Sequence, residues 1–237
     1  MLKDKVAIIT GASRGVGKAI AEAFAGAGAK VVLASRTPQT LNSVADHIQA
    51  NGGDALVVST DVTESDSVEN LIAQTLDAYH RLDILVNSAG VGSFGMVVDF
   101  APEEWDKVID ANLKSVYLCS KYALRPMLEQ QSGQIINILS IAATVAFETS
   151  SAYCAAKAGA LALTKVLSQE VRGQNIRVTA VSPGSVHTSF WDEIEQHPDF
   201  DRMLTAEHVA ETALFVASQP LGMVIDEVTV TPPDGIL

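Results

Sequence analysis

The chain has 237 residues, 48% of them hydrophobic, and a formal net charge of −12 at pH 7. That length and apolar content predict a single domain over residues 1–237 with a sizeable core, and the acidity disfavours non-specific attraction to nucleic acid or to an anionic membrane. No apolar run reaches the roughly 18 residues that a spanning helix needs, no targeting segment is visible before the first strand, and the two cysteines, Cys119 and Cys154, fit a reduced, cytoplasmic chain.

Strand-like and helix-like stretches alternate from the N-terminus onward. Residues 6–10 are a short apolar run, and residues 15–27 repeat apolar side chains at helical spacing. Residues 31–34 are apolar and β-branched, and a polar-faced helix is expected over about 39–50, closed by the turn Asn51-Gly52-Gly53. A strand at 55–59, an amphipathic helix at 65–80 and a strand at 84–86 follow. One long helix is expected from Pro102 to about Glu129, since Pro102 suits a first turn, with Pro126 bending its end. Strand 135–139, helix 151–171 and strand 177–181 continue the alternation, and a helix at 205–218 and a strand at 224–230 complete it. This pattern predicts a doubly wound α/β sandwich, a parallel sheet with helices on both faces.

The first strand-to-helix turn reads Thr10-Gly11-Ala12-Ser13-Arg14-Gly15-Val16-Gly17. Glycines there let the backbone approach a pyrophosphate, while the helix start offers free N–H groups and partial positive charge. In dinucleotide sites an acid about 20 residues further on binds the ribose 2′-hydroxyl, whereas an arginine accommodates a 2′-phosphate. Here the second strand ends Ala34-Ser35-Arg36, and the next acid is Asp46, inside the following helix. With Arg14 in the turn as a second cation, NADP(H) is favoured over NAD(H). The five histidines show no metal-ligand spacing, so no metal site is expected.

Tyr153 and Lys157 stand four apart in the helix expected at 151–171 and so share a face. A nearby ammonium favours phenolate and is expected to lower the phenol pKa, making Tyr153 a candidate general acid/base. Such a pair is a short motif, and Tyr117 with Lys121 is a second instance. Only the first has a hydroxyl, Ser140, at the C-terminal end of an expected strand, where open α/β sheets bind ligands.

Taken together, Thr10-Gly11-x3-Gly15-x-Gly17, Asp61, Asn87-x-Ala89-Gly90, Asn112, Ser140, Tyr153-x3-Lys157 and Pro183-Gly184 followed by Thr188 resemble the short-chain dehydrogenase/reductase family along essentially the whole chain. The resemblance implies a Rossmann-type, seven-stranded parallel sheet and hydride transfer between a nicotinamide cofactor and a carbonyl or alcohol. It implies Tyr153 as acid/base, Ser140 as a hydrogen-bond partner of the substrate oxygen, and Lys157 as the group that lowers the Tyr pKa and holds the nicotinamide ribose. Asn112 would hold a water linking Lys157 to solvent. The cofactor would be held by Gly11, Ser13, Arg14, Gly15, Val16, Gly17, Ser35 and Arg36. Asp61 and Val62 would meet the adenine, with Asn87, Ala89 and Gly90 under the adenosine ribose. Pro183, Gly184, Val186 and Thr188 would face the nicotinamide, beside Tyr153 and Lys157.

Candidate walls of the substrate pocket are Phe94, Ala142, Val145, Phe147, Phe190 and Trp191, with a lid at about 187–203. Two departures stand out. The family's paired asparagine is Asn87-Ser88 here, and the C-terminus lacks the Gly-Gly ending of many members. A homodimer through the helices at 102–129 and 151–172, or a homotetramer, is implied by the resemblance. Many relatives resemble 3-oxoacyl-carrier-protein reductases, whose acidic partner calls for basic residues beside the cleft. The stretch 127–134 has none, so a small free carbonyl or alcohol is preferred to a carrier- or CoA-bound one. A non-catalytic NADP(H)-binding sensor or scaffold stays open, as does a nucleotide-sugar epimerase, for whose larger substrate domain the chain has no room.

Overall fold

The computed structural model describes residues 1–192 and 199–235. Seven strands, β1 (Val6–Thr10), β2 (Lys30–Ser35), β3 (Asp54–Ser59), β4 (Ile84–Asn87), β5 (Gly133–Ile138), β6 (Ile176–Pro183) and β7 (Glu227–Val230), form one sheet in the order β3-β2-β1-β4-β5-β6-β7. Every neighbouring pair is parallel. The fold is the expected doubly wound, Rossmann-like sandwich. Its order turns at β1, so the first strand lies inside the sheet, with β2 and β3 on one side and β4 to β7 on the other.

The run Val6-Ala7-Ile8-Ile9-Thr10 is buried at every residue, as a parallel strand covered on both faces must be. Alternate residues serve opposite cores. Ala7 and Ile9 pack with α1 (Gly15–Gly26), α2 (Pro38–Ala50) and α7 (Ala206–Ala217), through residues such as Phe24, Leu41 and Val209. Val6 and Ile8 pack on the other face with α3 (Ser65–Tyr79), α5 (Ser115–Gln130) and α6 (Ser151–Val171), through Leu71, Met127 and Leu167. At the opposite end of β1 from the glycine turn, the buried carboxylate of Asp83 accepts from Lys5 Nζ at 3.0 Å, Arg81 Nη2 at 2.7 Å and the Val6 N–H at 3.0 Å. These bonds tie β1 to the segment that enters β4.

Three element boundaries depart from expectation. The long helix is interrupted: α4 (Pro102–Ile109) passes into a π-helical turn, Asp110–Lys114, before α5 begins. Pro126 lies inside α5, which continues to Gln130. Strand β6 reaches Pro183, carrying its end into the site, while β7 is shorter than the apolar run that suggested it. Of the expected lid, one-turn 3₁₀ helices occupy Ser189–Trp191 and Phe200–Arg202, and residues 193–198 fall outside the described residues. Among the described residues, no helix is long and apolar enough to cross a membrane.

Candidate active site

The residues singled out from the sequence converge at the C-terminal ends of β1, β4, β5 and β6. The turn after β1 is held by Thr10, whose buried hydroxyl donates to Val86 O and accepts from the N–H groups of Ser88 (3.0 Å) and Ala89 (3.2 Å). This draws Ala89 against Gly11, where a Cβ would lie 2.9 Å from Ala89 Cα; Gly11 also has φ +68°. Gly17 lets α1 close on the turn, since a Cβ there would lie 2.3 Å from Gly11 O. Gly15 faces Thr188, so the turn and the segment after β6 meet. Ser13, Arg14 and Val16 complete the turn, and the first turn of α1 carries neither a side-chain cap nor an acidic residue. Its N–H groups are therefore available to an anion.

Along the adenosine side, Ser35 ends β2 with a buried hydroxyl that has no hydrogen-bond partner among the described residues. Arg36 follows, exposed, and neither it nor Arg14 forms an ion pair among the described residues. Asp61 Oδ1 accepts from both the N–H and the hydroxyl of Thr63, at 3.0 and 2.7 Å, next to partly buried Val62. Burial opposes ionisation of Asp61, but those bonds and the charges of Arg36 and Lys114 outweigh it, keeping the carboxyl below its usual range. Asn87 Nδ2 donates to Asn137 Oδ1 at 2.8 Å and to Ser120 Oγ at 3.3 Å in the core, while its buried Oδ1 has no partner among the described residues; Ala89 and Gly90 follow it.

Gly90 also opens room toward the reactive side. A Cβ there would lie 2.5 Å from Asn112 Oδ1 and 3.7 Å from Lys157 Nζ. Asn112 sits in the π-helical turn, its Nδ2 donating to Val91 O at 2.8 Å and Val108 O at 2.9 Å, while its buried Oδ1 has no partner among the described residues. Lys157 is 6% exposed, and its Nζ donates to Ile138 O at 3.3 Å and lies 5.5 Å from the Tyr153 ring centre. Burial pulls this ammonium down to about 8. Ser140 caps the 3₁₀ turn Ile141–Ala143, accepting from the Ala142 N–H at 3.1 Å, and its hydroxyl lies close enough to the Tyr153 phenol to favour the phenolate.

The expected depression of the Tyr153 pKa by Lys157 is not what this geometry produces. Burial pushes the phenol up to about 12, against a downward pull from the Ser140 hydrogen bond, and neighbouring Cys154 adds to the rise. At neutral pH the pair is therefore a neutral phenol beside a largely protonated amine.

Of the expected pocket walls, Phe94, Phe190 and Trp191 gather at Tyr153. Ring centres of Phe94 and Phe190 lie 6.0 and 5.8 Å from that of Tyr153, and Trp191 meets Phe190 edge-on at 5.4 Å. Phe147 is not among these rings: its carbonyl accepts the Ser150 N–H, and the Val145 carbonyl faces Cys154 Sγ at 3.7 Å. Val186 O accepts from Trp191 Nε1, and Gly184 N–H donates to Val230 O, seating Pro183 and Gly184 against the C-terminal segment. Sequence reasoning missed Gly92, against which both Phe190 and Phe94 rest, and the staple made by Thr10. A glycine two residues before an aromatic was the one visible trace of the former.

Comparison with known proteins gives one answer at three levels. The sequence model described as short chain dehydrogenase matches residues 5–199. A 3-oxoacyl-[acyl-carrier-protein] reductase of Synechocystis is 38% identical over 242 residues, covering 100% of this chain and 98% of that one. An uncharacterised oxidoreductase of Staphylococcus aureus (strain MRSA252) is 38% identical, covering 98% and 99%. Among solved structures, a metagenomic short-chain oxidoreductase in complex with NADP superimposes with TM-score 0.87 at 35% identity, covering 98% of each chain. A short-chain type dehydrogenase/reductase from Mycobacterium marinum does so with TM-score 0.93 at 33% identity, covering 97% of this chain and 95% of the other. With the glycine turn, the Ser140–Tyr153 contact and Lys157 gathered at one end of a seven-stranded parallel sheet, this chain belongs to the short-chain dehydrogenase/reductase family of oxidoreductases.

Proposed function

We propose that this chain is an NADP(H)-dependent reductase of small carbonyl compounds, working as one domain and also able to run the reverse oxidation of a secondary alcohol. The observation that carries the reading is the Tyr153 phenol on the helix that also presents Lys157, whose Nζ lies 5.5 Å from its ring centre, with the Ser140 hydroxyl beside it at the end of β5. The residues present fit a dinucleotide. Gly11, Gly17 and Gly90 leave a cradle that a Cβ would fill, and where β2 ends stand the Ser35 hydroxyl, without a partner among the described residues, and exposed Arg36. Gly11, Ser13, Gly15, Val16 and Gly17 would hold the pyrophosphate, Arg14 and Arg36 a 2′-phosphate, Asp61 and Val62 the adenine, and Pro183, Gly184, Val186 and Thr188 the nicotinamide. The bound cofactor supplies the hydride.

Ser140 and Tyr153 then act on the carbonyl oxygen. As the carbonyl carbon gains its new C–H bond, the π electron pair moves to oxygen, and two positioned hydroxyls stabilise the growing charge. Tyr153 completes the alcohol by giving up its proton. Lys157, charged and nearly buried, favours the phenolate this leaves behind. Asn112 Oδ1, buried without a partner near Lys157, is placed to hold a water that returns the proton.

NADPH oxidation with a panel of free ketones and aldehydes tests the reading. Tyr153→Phe should reduce turnover by on the order of 10²-fold or more while cofactor still binds. Undiminished turnover would remove the assignment, and cofactor binding without turnover on any carbonyl would favour a sensor or scaffold. Ser35→Asp with Arg36→Ala should shift preference toward NADH, since a carboxylate repels a 2′-phosphate; an unaltered NADPH/NADH ratio counts against the 2′-phosphate site. The Synechocystis relative favours a second reading, a 3-oxoacyl thioester substrate. Comparing carrier-bound with free 3-oxo substrates decides between them. Exposed Tyr117 and Leu128 on α5 and Val166 on α6 support assembly into a homodimer or homotetramer, which light scattering after gel filtration measures.

A further inference from the structure

We infer that the carbonyl substrate of this site is an uncharged ketone bearing an aromatic ring next to its carbonyl, and that Phe190 with Phe94 selects it. This rests on the reductase reading above. Phe94, Phe190 and Tyr153 form a closed triangle: Phe94 and Phe190 meet edge to face at 6.0 Å, and each lies within 6.0 Å of Tyr153. Tyr153 is partly exposed between these rings, so a substrate that reaches its phenol comes against both Phe94 and Phe190. An aryl ketone meets them with ring–ring contacts of the same geometry, which a saturated ring of equal size lacks the quadrupole to make.

The triangle is built into the backbone. Gly92 is the floor on which both rings rest, for a Cβ there would lie 2.5 Å from Phe190 Cζ and 2.8 Å from Phe94 Cε2. Phe190 is carried on the short turn Ser189–Trp191, where Thr188 Oγ1 accepts the Phe190 N–H at 3.3 Å. Trp191, anchored through Nε1 to Val186 O at 2.9 Å, backs the Phe190 ring.

Charge excludes the other large class. The three segments that meet here, residues 90–100, 140–153 and 184–192, contain no Lys or Arg and contribute the acids Asp99, Glu148 and Asp192, all exposed. Lys157 is buried and already donates to Ile138 O. A carboxylate or phosphate on the substrate would meet like charge at the surface and only apolar rings within. The net change is ketone, NADPH and a proton to 1-aryl alcohol and NADP⁺.

The test compares initial rates with NADPH for acetophenone, cyclohexyl methyl ketone and 4-acetylbenzoate, which differ in aromaticity and in charge. The inference expects kcat/KM for acetophenone at least about tenfold above each of the other two. In Phe190→Leu, with melting and cofactor affinity checked alongside, the aryl-over-cyclohexyl ratio should fall to within about threefold, mainly through KM. Equal rates on the first two ketones or a preference for the benzoate overturns the inference and leaves the reductase reading intact, whereas a carrier-bound substrate far outpacing all three overturns the inference together with the choice of a small free carbonyl. An aryl preference undiminished in Phe190→Leu overturns the role of Phe190. No cofactor consumption with any carbonyl overturns the reductase reading, and this inference with it.

Discussion

Replacing Gly17 by alanine is the sharpest test of the cofactor cradle, because the obstacle it meets is backbone on every side. The new Cβ would lie 2.3 Å from Gly11 O and 2.7 Å from Gly11 C, where ordinary contact begins near 3.4 Å. About 1 Å must open between the turn and α1. The turn cannot retreat, since Gly11 is already pressed against Ala89, which Thr10 holds by hydrogen bonds. The displacement therefore falls on α1, whose Ile20 and Phe24 are fully buried in the core. Overpacking of this kind costs about 2 kcal/mol, equivalent to roughly 4–8 °C in Tm for a chain this size. The N–H groups that face a pyrophosphate move with the helix, so NADPH affinity should weaken by roughly 10- to 100-fold, about 1.4–2.7 kcal/mol. Fluorescence titration of NADPH and a thermal melt on the same sample measure both. A variant with unaltered affinity and a melt within a degree of the parent would show that the close approach of turn and helix does not exist in solution.

Other perturbations reach different parts of the molecule. Removing the buried Asp83 carboxylate with Asp83→Ala should destabilise the chain at pH 7 by roughly 3 kcal/mol, through the uncompensated partners it leaves. Burial opposes ionisation of Asp83, but Arg81, the Val6 N–H and Lys5 together hold its folded pKa below the unfolded value, so its contribution is present above the ordinary carboxylate range and is lost as pH falls through the folded pKa. Urea denaturation at several pH values should show the difference between parent and variant shrinking on acidification; a constant gap would be the wrong sign. In protein without cofactor, ultraviolet difference titration of the parent against Tyr153→Phe should show no extra phenolate below about pH 11, given a Tyr153 pKa of about 12. A step near pH 7 would mean that Lys157 outweighs burial. Asn112→Ala should slow turnover more than it weakens cofactor binding, read as a kcat effect at saturating NADPH; a change confined to KM would give Asn112 a structural role alone.

Much of this architecture was legible because strands buried on both faces write themselves as apolar runs, and Val6-Ala7-Ile8-Ile9 has no other stable home. The glycine turn and the Tyr153–Lys157 spacing were legible because each needs only local geometry. What escaped depends on contacts between distant segments. No local pattern shows that Asn137 and Ser120, 50 and 33 residues beyond Asn87, hold its amide nitrogen in the core. Gly92 has meaning only through Phe190. The π-helical turn at Asp110–Lys114 adds one residue to a helix that a 3.6-residue period describes as continuous, and it is the element that carries Asn112. The direction of the Tyr153 pKa was misread for a related reason: spacing places the ammonium on the right face, but only packing sets how much water the phenol loses.

The position of β1 inside the sheet, paired on both edges, has a consequence for how the protein is made. Its partner on one side, β2, follows within 20 residues, whereas β4, on the other, does not begin until Ile84. At ribosomal speeds of 5–20 residues per second, one edge of Val6–Thr10 waits on the order of 4 to 15 seconds for its neighbour. During that interval the nascent chain offers a bare apolar strand to any other bare strand nearby. Insertions between Ser59 and Asp83 lengthen the exposure, so they should appear as lost soluble yield before they appear as lost activity.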